Sequence, residues 1–119
     1  MDQVSEPLFC SVYGQVKYCC YSGDFGIDFG AMQLWTCQER LRQLARKVNQ
    51  LVRYSGPLHK LAVSHQFEIS PPGYEGEFFS FYADELLDLQ MLMNGALAMV
   101  DLYQFLSAHQ FQLETSSFQ

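Results

Sequence analysis

The sequence predicts an α+β fold, with an antiparallel sheet of about five strands and two helices packed on one face, in the order β-β-β-α-β-β-α. Three observations carry this. Each half of the chain opens with short runs rich in aromatic and β-branched residues. Each half then closes on a longer run whose apolar residues recur with helical spacing, and Gly, Pro and Ser clusters separate the runs. At 119 residues the chain fits a single domain spanning 1–119, and 49% apolar residues excludes both disorder and a collagen-like repeat.

Leu8 to Tyr13 and Val16 to Tyr21 read as strands, with Gly14-Gln15 between them suited to a type II′ turn. After Ser22-Gly23-Asp24, the apolar residues Phe25, Ile27 and Phe29 alternate with Gly26, Asp28 and Gly30, which is a strand with one buried face. Thr36 and Glu39 then have the Thr-x-x-Glu spacing of a capping box. The helix it opens, about Cys37 to Arg53, places Leu41, Leu44, Ala45, Val48, Leu51 and Val52 on one stripe, and Ser55-Gly56-Pro57 ends it. Leu61 to Ile69 alternates as a half-buried strand that puts His65 on the apolar face with Val63 and Phe67. Pro71-Pro72-Gly73 is a turn, and Glu77 to Tyr82 is a further strand. A helix follows from about Asp84 to Ala108, with Asp84 and Glu85 complementing its dipole, and a polar tail at 112–119 reads as frayed. The shared plan of strand, turn, strand and helix makes 16–53 and 61–105 a candidate pseudo-repeat.

The second helix is unusual because it has two apolar faces. Leu86, Leu89, Met93, Ala96, Leu97, Val100 and Tyr103 form one, and Leu87, Met91, Ala98, Leu102 and Phe105 form the other. Narrow polar stripes separate them, with Asp84, Asp88 and Gly95 on one side and Gln90, Asn94 and Asp101 on the other. A helix that covers a single sheet needs one apolar face. Two faces require a cover on both sides, supplied either by the first helix or by a partner protein. Asn94-Gly95 marks a break in this helix or a close backbone approach, since Gly in a helix interior costs about 1 kcal/mol relative to Ala.

The net charge of -6 is unevenly spread. Residues 1–57 carry six basic and five acidic side chains, whereas residues 58–119 carry Lys60 against eight acids. An acidic chain repels phosphate backbones, which argues against nucleic-acid binding except through the basic 40–53 helix. Arg42, Arg46 and Arg53 on that helix are candidate contacts for an acidic partner. Met1 to Ser5 lacks the basic and apolar regions of a secretory signal, and Leu86 to Val100 is too short and too polar to span a membrane. Four cysteines in that setting read as reduced thiols in a cytoplasmic protein.

No catalytic motif is present. The histidines at 59, 65 and 109 are scattered, no Cys-x-x-Cys or His-x-x-x-His pair exists, and Cys19 and Cys20 point to opposite faces of a strand, so no metal site is expected. A two-residue loop at Gly14-Gln15 puts Cys10 opposite Cys19, which permits a reversible disulfide; a three-residue loop puts Cys10 on the face of Cys20. His65 beside such a thiol is the basis of a redox or ligand-binding alternative. Glycines 23, 26 and 30 match neither a P-loop nor a dinucleotide fingerprint.

The stretch from Cys19 through Phe29-Gly30 to Thr36-x-x-Glu39 resembles a group of small uncharacterised bacterial proteins. Those carry a cysteine motif, a strand containing Phe-Gly and a capped helix, with a second strand-helix unit in the C-terminal half. Here the adjacent pair Cys19-Cys20 stands where the group has Cys-x-x-Cys. The resemblance implies a fold of two strand-helix units and no particular activity. Taken together, the residues lead to the expectation of a non-enzymatic interaction or regulatory module without a cofactor. It is expected to form a homodimer, or to bind one protein partner, through the second apolar face of the 84–108 helix. A small redox or ligand- or metal-binding protein using Cys10, Cys19 and His65, and a nucleic-acid adaptor using the 40–53 helix, are the alternatives.

Overall fold

Phe25, Ile27 and Phe29 all point into the core, and the sheet is built outward from them. In a computed structural model describing residues 5–56 and 65–117, strands β1 (Ser5–Cys10), β2 (Gly14–Cys19), β3 (Phe25–Phe29) and β4 (Met32–Thr36) form an antiparallel meander in that order. Helix α1 (Gln38–Tyr54) follows, then the hairpin β5 (Gln66–Ile69) and β6 (Phe79–Tyr82), and finally α2 (Ala83–Ser117). The fold is α+β, but its strands divide into a four-stranded and a two-stranded sheet where one sheet of about five is predicted. The extra strand is β4. Its Met32, Leu34 and Thr36 are buried while Gln33 and Trp35 are exposed, the period of two that a half-buried strand requires. Gly30-Ala31 turns the chain into it, with φ of +58° at Gly30 and a negative φ at Ala31, the pattern of a type II′ turn.

The hairpin that the sequence places at Gly14-Gln15 turns earlier. Ser11 N–H donates to the Gly14 carbonyl, and the last residue pair is Cys10 with Gln15. Gly14 serves instead as the first residue of β2, where a Cβ would run into the Asp28 carbonyl oxygen. Another glycine, Gly26, lies under the Trp35 ring, which covers its backbone on the outer sheet face. At the β1 edge, Pro7 has no N–H to offer, and a bulge between Pro7 and Phe9 breaks the register.

The expected capping box does not form. The N-cap of α1 is Cys37, without a side-chain cap, and Thr36 belongs to β4 with its hydroxyl buried and unpartnered. Leu41, Leu44, Ala45 and Val48 are buried as their spacing predicts. They join one core with the inward residues of both sheets and with Leu86, Leu89, Leu92, Met93, Ala96 and Val100 of α2. Helix α2 lies against β1, β2, β5 and β6, and α1 packs along its flank. The α2 backbone stays helical well past Ala108 and is unbroken at Asn94-Gly95. Gly95 is a close approach, because the Phe9 ring of β1 occupies the place of its missing side chain. The part of the expected strand at Leu61 to Ser64 lies outside the described residues.

Candidate interaction surface on helix α2

Helix α2 has three sides engaged within the chain and one side bare. Its inward side supplies the core residues above. One polar stripe faces α1: Arg42 pairs with Asp101 at 2.5 Å, Gln104 donates to Gln38 at 2.8 Å, and Asn49 bonds both Gln90 and Asn94 at 3.0 Å. The other flank faces β1 and its turn. There Asp88, 8% exposed, accepts hydrogen bonds from Ser11 Oγ at 2.6 Å, Val12 N–H at 3.2 Å and Tyr13 N–H at 3.0 Å. Tyr13 Oη donates to Asp84 at 3.1 Å, and this bond, with the nearby negative charge, raises the phenol above its ordinary pKa.

The first helix thus meets the polar stripe of Gln90, Asn94 and Asp101 and leaves the second apolar face uncovered. Leu87 is 44% exposed, Met91 61%, Leu102 46% and Phe105 58%, and Ala98 between them is exposed as well. Tyr103, which the periodicity assigns to the inward face, is also exposed. The reason is that α2 leaves the body after Val100, and every described side chain from Asp101 to His109 is exposed. Where the helix overhangs, it and the strand ends of β1–β3 border a cleft of about 400 Å³ lined by Leu8, Tyr18, Phe25, Val100 and Tyr103. Sequence reasoning missed exposed Val12 and Tyr13 of the β1–β2 turn and exposed Leu106 of α2. Val12 and Tyr13 are assigned to a strand interior once the turn is placed too late.

The other candidate residues do not assemble into a site. Cys10 pairs with Gln15 and Cys19 with Ser5, at opposite ends of the β1–β2 hairpin. Four residues of strand separate those pairs, roughly 13 Å at the usual rise, beyond the reach of a disulfide. The expected juxtaposition of Cys10 and Cys19 is therefore corrected by the earlier turn, and Cys10, Cys19 and Cys37 are free thiols. Cys19 has a distinct environment. The Ser22 hydroxyl, then the backbone N–H groups of Ser22 and Tyr21, donate to its sulfur and hold the thiol below its ordinary pKa, against the opposing effects of desolvation and Asp24. His65 is exposed just before β5 and meets the Phe67 ring edge-on at 4.6 Å, so it is not a residue of the apolar face.

Of the three arginines offered to an acidic partner, Arg42 is engaged by Asp101 of its own chain, whereas Arg46 and Arg53 are exposed. Two further basic residues of α1 fasten the turn before β6. Lys47 Nζ donates to the Ser70 carbonyl at 2.8 Å, and the Arg40 side chain lies over Gly73, whose φ is +89°. Among the described residues no three His, Cys, Asp or Glu side chains gather as a metal site, and no helix is long and apolar enough to cross a membrane. Comparison with family models, curated proteins and solved structures finds no match. The bare stripe of α2 is the feature on which a function can be argued.

Proposed function

We propose that this protein is a non-enzymatic interaction module that self-associates through the outward face of α2. The carrying observation is the run of exposed apolar side chains at Leu87, Met91, Ala98, Leu102 and Phe105, bounded on both flanks by polar residues already bonded within the chain. Contiguous apolar surface of that kind on a water-facing helix marks an interaction site. Exposed Val12 and Tyr13, whose N–H groups bond Asp88, and exposed Leu106 of the same helix add apolar surface beside it. A redox role for Cys10 with Cys19 loses its support with the hairpin register. A nucleic-acid role for α1 is weakened by the basic side chains that it commits within the chain. The free thiols of Cys10, Cys19 and Cys37 support a reducing, cytoplasmic setting.

Light scattering with reductant present tests this directly. The expected mass is twice the chain's 13.7 kDa, persisting on dilution into the low micromolar range. The triple variant Leu87→Gln, Met91→Gln, Leu102→Gln is expected to be a monomer with an unchanged urea midpoint. A natural chain that is monomeric at every concentration, or a triple variant that unfolds, would count against the reading.

A further inference from the structure

The division of the strands into two sheets leaves a seam, and a cavity of about 350 Å³ opens along it. The β3–β4 turn borders it from one sheet and β6 from the other, while Tyr13 of the β1–β2 turn and Glu85 of α2 complete the wall. That volume is within the range of small-molecule sites, about 300–1,000 Å³. Phe29, Met32 and Phe81 are buried beneath it, Phe79 is half-buried, and Tyr13 and Tyr82 stand exposed around it. Phe29 meets Tyr13 edge-on at 6.4 Å between ring centres and Phe81 at 5.5 Å. Rings inclined in this way offer their faces to one guest from several directions, which a stack does not.

Charge decides what kind of guest this lining takes. Among the described residues Glu85 is the one charged side chain that lines the cavity. Its Oε1 accepts the Tyr82 N–H at 2.8 Å, which fixes the carboxylate beside that tyrosine, and Asp84 next to it accepts the Tyr13 hydroxyl at 3.1 Å. Among the described residues neither acid has an ion-pair partner, since Lys17 pairs with Asp28 and Arg42 with Asp101. The N-terminus of α2 sets about half a positive charge against two carboxylates, so the balance is negative. Tyr13 feels this charge: its bond to Asp84, then the charges of Asp84, Asp88 and Glu85 together with desolvation, hold its phenol above the ordinary value. An aromatic lining beside unpaired negative charge suits a cation whose own surface is apolar. A bare ammonium is strongly hydrated, whereas methyl groups on the nitrogen weaken its hold on water. The geometry points to a binding site for a methylated ammonium group, held against the rings of Tyr13, Phe79 and Tyr82 with its charge facing Glu85. This goes beyond self-association and does not depend on it, because Leu87, Met91, Ala98, Leu102 and Phe105 take no part in the cavity.

Choline and its neutral carbon isostere 3,3-dimethylbutan-1-ol share a shape and differ in charge, so a titration of each into the natural chain, followed by backbone amide NMR, reads the site. Choline is expected to bind saturably and about tenfold or more tighter than the isostere, with the largest shifts at Tyr13, 29–32 and 79–85. No saturable choline shift, shifts centred elsewhere, or equal affinity for the two compounds overturns the site. Two variants extend the test. Glu85→Gln removes the charge and keeps an oxygen for the Tyr82 N–H, and Tyr82→Leu removes a ring while keeping apolar bulk. Each is expected to weaken choline about fivefold or more. Folded variants that both bind choline as tightly as the natural chain would also sink the proposal. The isostere comparison needs no variant, so it stands even where one of them fails to fold. Titrating the N-acetyl amide of trimethyllysine in parallel separates the two sources of the group: tighter choline assigns a free small molecule, and the tighter lysine derivative a modified protein side chain.

Discussion

Thr36 carries a buried hydroxyl with no hydrogen-bond partner, directly before the N-cap of α1. An unpaired buried hydroxyl costs about 1–3 kcal/mol. Thr36→Val is therefore expected to stabilise the protein by about 1 kcal/mol in urea unfolding, whereas a working capping box would have the same change cost about 1 kcal/mol. The sign alone decides between them. Cys19 offers a second residue-level test, this one on pH. Its thiolate is held by Ser22, so it is expected to alkylate fastest of the four cysteines at neutral pH, with a rate profile midway below that of an ordinary thiol. Because the folded pKa is the lower one, whatever this contributes to stability is present above the ordinary thiol pKa and is lost as pH falls through the folded value. Ser22→Ala should move the alkylation midpoint upward, as read by peptide mass spectrometry against pH. An unmoved midpoint would remove Ser22 from the account. Neither environment is legible in a local pattern, since Thr-x-x-Glu spacing looks the same whether Thr36 caps a helix or ends a strand.

Between elements, Asp88 ties the β1–β2 turn to α2 through three donors, beside the Tyr13 hydroxyl on Asp84. Asp88→Ala is expected to cost about 2–3 kcal/mol in urea unfolding, since hydrogen bonds to a charged group are worth about 1.5–3 kcal/mol and three are lost together with their acceptor. A loss under about 0.5 kcal/mol would show that water replaces the carboxylate. The alternation of Phe25, Ile27 and Phe29 and the stripe of α1 are both legible in the sequence, because a single buried face imposes its period on neighbouring residues. Strand β4 escapes notice because it is five residues long and follows its partner after a two-residue turn. Gly14 misleads in the opposite direction: a glycine needed for close approach to the Asp28 carbonyl looks the same as one needed for a turn. The two apolar faces of α2 are also readable from spacing. Which neighbour meets which stripe is not, since Arg42 reaches Asp101 across 59 residues of chain and Ser11 reaches Asp88 across 77.

For the molecule as a whole, α1 and α2 follow different rules. Helix α1 is one-sided and sits on the core, while α2 is buried on its inward side up to Val100 and then runs on with Leu102, Tyr103, Phe105 and Leu106 bare. An apolar helix held in water gains nothing from its own side chains until something covers them. Association that covers α2 therefore favours the folded chain by mass action, and the thermal midpoint is expected to rise by several °C over a hundredfold increase in protein concentration. The Leu87→Gln, Met91→Gln, Leu102→Gln variant should show no such rise, and a flat midpoint in the natural chain would mean that the stripe stays wet.

The β1 edge has a consequence for how large any assembly can grow. A sheet lengthens without limit only if its outer strand can accept another. With Pro7 lacking a donor and a bulge beside it, β1 offers no regular ladder to a newcomer. The self-association proposed through α2 would then close on itself without adding strands at the β1 edge. One imino acid and one extra residue in its first strand are enough to blunt this edge against a further strand.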